Sequence, residues 1–133
     1  MKIPKDGTKI HDHPLATLWF DKDGILHKIS KKTPRTVDTV ADLYRHIRLA
    51  TEGNKVCAIF EVSDETASNE EVREYLKKEI PKLFKAVAFL STTPTGTMVG
   101  IITSILAPHH LPTNVFRNEN GARKWLEDFV HLC

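Results

Sequence analysis

The sequence predicts one α/β domain built on a mixed, mostly parallel sheet. Three observations predict it. Two short runs, at 55–62 and 85–92, are almost continuously apolar, the pattern of strands buried on both faces. Stretches with apolar residues at helical spacing flank both runs. Polar and turn-forming residues separate these segments, so strands and helices alternate, and alternation with short links produces parallel pairing through helical crossovers.

The elements follow in chain order. Residues 1–14 are polar, with Gly7, Pro4, Pro14, His11 and His13, and read as a flexible amino-terminal tail. The domain is then 15–133. Residues 15–20 and 25–29 are strand formers around Asp21-Lys22-Asp23-Gly24, and Asp-Gly between apolar runs is a hairpin signal. Alternation of Ile25, His27 and Ile29 with Leu26 and Lys28 predicts one buried face. Thr33-Pro34-Arg35-Thr36 reads as a helix entry, and Val37, Val40, Leu43, Ile47 and Ala50 give an amphipathic helix with Gly53 as its cap. After the strand at 55–62, Ser68-Asn69-Glu70-Glu71 matches a capping box with Ser68 as the cap. Val72, Tyr75, Leu76, Ile80 and Leu83 form the next helical face, which Pro81 should end or kink. After the strand at 85–92, a third helix is expected at 98–106, a short strand at 114–116 and a last helix opened by Asn118, for about four helices in all.

Composition bounds the function. A chain of 133 residues buries enough surface to fold without a metal or disulfide. A net charge of +2, spread along the chain, argues against a nucleic-acid partner. The longest apolar stretch, interrupted by Gly100, Thr103 and Ser104, is too short for a membrane span. The polar amino terminus does not read as a signal peptide. Cys57 reads as a small buried hydrophobe, and two unpaired cysteines suit a reducing compartment. A cytoplasmic location is expected.

Local residues add a resemblance. Val72-Arg73-Glu74-Tyr75-Leu76, Ala86-Val87-Ala88, Pro112-Thr113-Asn114-Val115-Phe116 and Ala122-Arg123-Lys124-Trp125-Leu126 resemble small bacterial SpoIIAA-like proteins of the STAS superfamily, over about 16–130. The resemblance implies a STAS-like sheet with an amino-terminal hairpin and a regulatory, non-enzymatic role. It also implies a switch loop after the central strand. Here that loop offers Asp64, Thr66 and Ser68, but it lacks the Asp-Ser-Ser/Thr-Gly context of the family, and Asp64 and Glu65 would repel an added phosphate. Ser68 therefore reads first as a helix cap.

The chemistry candidates are few. His109-His110, with His11 and His13, could collect a transition metal, but nothing in the sequence brings the tail to that loop, so no metal site is assigned. Thr95-Gly96-Thr97 lacks the spacing and lysine of a phosphate-binding loop. No cofactor and no catalytic residue is expected. The over-apolar segment with Met98, Ile101, Ile102, Ile105 and Leu106 has three readings. It packs between sheet and neighbour, forms a homodimer contact, or walls an apolar pocket with Leu43 and Ile47 as in the CRAL-TRIO lipid binders, whose fold resembles STAS. The leading expectation is a protein-interaction module, a homodimer with a possible regulatory protein partner; the second is a binder of a small apolar or lipid-like ligand.

Overall fold

Nine elements lie among the described residues. The computed structural model describes residues 1–63, 69–92 and 111–130. These hold β1 (His11–His13), β2 (Ala16–Phe20), β3 (Leu26–Ser30), α1 (Val37–Ala50), β4 (Val56–Glu61), α2 (Glu70–Leu83), β5 (Phe84–Leu90), β6 (Thr113–Phe116) and α3 (Glu119–Val130). The strands form one six-stranded sheet in sequential order. β1, β2 and β3 pair antiparallel, and β3 through β6 pair parallel. The mixed, mostly parallel α/β sheet with an amino-terminal hairpin is as expected. Three helices lie among the described residues; the helix expected at 98–106 lies outside them.

The sheet starts earlier than the sequence reading placed it. His11–His13 were assigned to the tail, but they pair with β2 in the register His11↔Leu18 and His13↔Ala16. A three-residue strand is too short to show a period, and its polar residues hide its role as an edge.

The hairpin turn is built by Asp21. Its backbone carbonyl accepts from Gly24 N–H at 3.0 Å, and its Oδ1 accepts from the amides of Asp23 and Ile25 at 2.8 and 3.1 Å. Gly24 supplies the positive φ of 79° that the turn requires. The expected single buried face of β3 is corrected: Leu26, His27, Lys28 and Ser30 are all buried. β3 lies between β2 and β4, so both its faces are covered.

Each crossover moves the chain one place along the sheet. Right-handed connections then put successive helices on the same face. On that face α1 and α2 bury Val40, Leu43, Tyr44, Ile47, Val72, Leu76, Ile80 and Leu83 against Leu18, Leu26, Ala58, Phe60 and Val87. α3 covers the opposite face, where Ala122 and Leu126 meet Cys57, Ile59, Ala86, Ala88 and Leu90. β4 and β5 therefore alternate between two cores, which explains their continuous apolar pattern. Burying a single Leu, Ile or Phe of this kind is worth about 1.5–3 kcal/mol.

Three local expectations change. The cap of α2 is Asn69, whose side chain accepts from Val72 N–H at 2.8 Å, one residue after the Ser68 expected. Pro81 was expected to end or kink α2; it does not end it, and the helix continues to Leu83. Proline has no N–H to donate to the Lys77 carbonyl, and the helix runs on two residues past that missing bond. Cys57 is buried as expected but is disulfide-bonded. The argument for a reducing compartment from two unpaired thiols falls with it. No described helix is long and apolar enough to cross a membrane.

Candidate functional site

The sheet brings the exits of β4 and β5 together. Val62 N–H donates to Leu90 O at 2.9 Å, and Thr92 N–H reaches Ser63 Oγ at 3.4 Å. The Ser63 amide in turn donates to Glu61 Oε1 at 2.9 Å. Next to them, Ser91 N–H donates to Phe116 O at 3.0 Å, which ties the end of β5 to the end of β6. A cleft of about 450 Å³ opens here, lined by Glu61, Ser63, Leu90, Thr92, Arg117 and Asn118 among others. It lies at the carboxyl ends of the parallel strands, where open α/β sheets bind their ligands.

The side chains expected to act lie beyond these exits. Asp64, Thr66 and Ser68 of the possible switch loop fall outside the described residues. So do Met98, Ile101, Ile102, Ile105 and Leu106, and His109 and His110. Of the expected apolar pocket, Leu43 and Ile47 are described, and both are packed in the α1 core.

A polar network stands behind this cleft, on the α3 face. Asp21 Oδ2 accepts from His27 Nε2 at 2.8 Å and from Arg123 Nη1 at 2.5 Å, while Arg123 Nη2 reaches Asp23 Oδ2 at 3.1 Å. His27 stacks on Trp19 with ring centroids 5.1 Å apart, and its Nδ1 lies 3.2 Å from Met1 Sδ and 3.7 Å from Glu119. Burial is the largest single influence on the Asp21 carboxyl and raises its pKa. The hydrogen bonds from His27, Arg123, Ile25 and Asp23 together outweigh it and hold the group well below the usual carboxylate range. Arg123, a hundred residues along the chain, thereby fastens α3 to the β2–β3 turn.

A second cluster was missed because its first residues were read as tail. Residues paired across β1 and β2 share a face, so His11 and His13 point with Leu18 and Ala16 toward α1. There Asp42 and His46, one helical turn apart, meet them. His13 is buried, its Nδ1 accepts from Leu15 N–H at 3.1 Å, and its Nε2 lies 2.9 Å from Asp42 Oδ2. His46 Nε2 lies 3.5 Å from the same oxygen. Arg45 holds the other one, Oδ1, at 2.6 Å. Hydrogen bonds from Arg45, then from His13, lower the Asp42 pKa to about 2. Burial, followed by Lys9 and His46, lowers that of His11. A cleft of about 300 Å³ adjoins the cluster, with Leu18, Phe20, Leu26 and Ile47 as its apolar floor and His11, Asp12, His13 and His46 on its polar side. The one sequence signal for this cluster was the Asp42/His46 spacing on a helix, set against an H-x-H triplet upstream.

Comparison with known proteins gives a family. A family model described as a domain of unknown function, DUF7793, matches residues 18–130. No curated protein matches the chain, and no solved structure matches it.

Proposed function

The chain belongs to the DUF7793 family, and we propose that it is a STAS-like module that acts through protein contacts, as a homodimer, rather than by catalysis. The observation that carries this reading is the adjacency of the two exits. The segments that the sequence marks for contact, 64–68 and 98–106, leave neighbouring parallel strands whose ends are tied through Val62–Leu90 and Ser63–Thr92 hydrogen bonds. The mostly parallel sheet with its amino-terminal hairpin supports the STAS-like part. The apolar sequence of 98–106 supports self-association, since a run this rich in Ile is costly to leave in water.

Native mass spectrometry of the full chain tests the reading. The expected mass is that of a dimer. The pair of substitutions Ile101→Asp and Ile105→Asp is expected to yield a monomer with an unchanged far-ultraviolet circular dichroism spectrum. A bare monomer of the unaltered chain overturns the proposal, and a monomer that retains an apolar ligand replaces it with lipid-like binding.

A further inference from the structure

We infer that His13, Asp42 and His46 form a binding site for a divalent transition metal of the zinc class, with coordination positions left open to the adjoining cleft. The argument starts from distances. Zinc–nitrogen and zinc–oxygen bonds of about 2.0–2.1 Å put the ligand atoms of a tetrahedral site about 3.3 Å apart. Asp42 Oδ2 already lies 2.9 Å from His13 Nε2 and 3.5 Å from His46 Nε2. All three ligand atoms fall within 4.8 Å of one another, the one such group of histidine, cysteine and acidic residues among the described residues. The remaining closure falls to His46, whose side chain is 54% exposed and so has room to turn.

The surroundings suit a metal as well as the ligands do. Arg45 holds Asp42 by Oδ1 and leaves Oδ2 facing both imidazoles, the outer contact that orients a monodentate carboxylate. Two ligands come from one helix at i and i+4, and the third from an edge strand paired into the sheet, so the backbone geometry is fixed before a metal arrives. Two imidazoles and one carboxylate favour zinc, nickel or iron(II) over magnesium or calcium, which prefer all-oxygen sets. Three protein ligands leave room for water or a small anionic ligand from the cleft of about 300 Å³, into which His11 also faces.

Metal binding requires one rearrangement. His13 Nδ1 accepts from the Leu15 amide, so in the metal-free protein the imidazole proton is on Nε2 and points at Asp42. Coordination through Nε2 moves that proton to Nδ1 and gives up the Leu15 bond. The Leu15 N–H···Nδ1 bond and the Nε2–H···Asp42 bond are both exchanged for metal–nitrogen and metal–oxygen bonds, and the change of tautomer leaves a spectroscopic mark.

Isothermal titration of the chelator-treated full chain with zinc chloride tests the site. One zinc ion per chain is expected, and Asp42→Asn and His46→Ala, both at positions open to solvent, should each weaken binding by about tenfold or more. Nitrogen-15 spectra of the histidine side chains should move the His13 proton from Nε2 to Nδ1 as zinc is added. Absence of zinc binding at concentrations up to about 100 μM, binding that survives both substitutions, or a His13 tautomer unchanged at saturation would each overturn the inference.

Discussion

Asp21 is the residue on which most of the polar structure converges. One oxygen closes the β2–β3 turn and the other holds His27 and Arg123. Hydrogen bonds to a charged group are worth about 1.5–3 kcal/mol each way they are broken. Asp21→Asn is therefore expected to lower stability by about 2–3 kcal/mol at neutral pH. The pH dependence has a definite sign. The folded pKa of Asp21 lies below its unfolded value of about 3.9, so its contribution is present above that value and is lost as pH falls through the folded pKa. The difference between the two proteins in urea unfolding should thus be full at pH 7 and shrink below about pH 4. A difference that stays constant down to pH 2 would assign the loss to packing instead.

At the scale of elements, the helix caps separate what the sequence carries from what it does not. α2 begins on Asn69, which accepts from Val72 N–H, and α1 begins on Thr36, in a reciprocal box with Thr39. Asn69→Ala is expected to cost about 1 kcal/mol, read as a lower urea midpoint with an unchanged slope. The neighbourhood of both caps was legible, because short polar side chains followed by an apolar period are a local signal. The choice of Asn69 over Ser68 was not, since either can accept from an amide three residues on. The same limit explains the larger misses. β3 reads as half-buried by its alternation, and only the position between β2 and β4 buries Lys28 and His27. β1 carries no alternation at all over three residues. Because it read as tail, His13 was not set beside Asp42 and His46: they lie 29 and 33 residues further along the chain, and only pairing of β1 with β2 brings the three together. The helices and the two doubly buried strands were legible for the opposite reason, since their periods are set within a few residues.

At the scale of the whole molecule, the sheet divides the interior into two cores of unequal depth. Among the described helices, α1 and α2 cover one face with eight buried side chains, and α3 covers the other, burying Ala122 and Leu126. α3 has a further tie to the sheet side through Arg123, which reaches Asp21 and Asp23 across about a hundred residues of sequence. That asymmetry predicts the order of local opening. Amides of Ala58–Phe60 and Val87–Phe89 belong to strands buried on both faces, and should exchange with solvent only through global unfolding. Amides of β1 and β6, the two edges, should exchange through smaller openings. Arg123→Ala removes the tie and leaves the α1 and α2 face untouched. Hydrogen–deuterium exchange should then quicken across α3 and the β2–β3 turn, with α1 unchanged. If α1 and α3 quicken together by the same factor, the two cores open as one unit, and Arg123 stabilises the whole fold rather than the docking of its own helix.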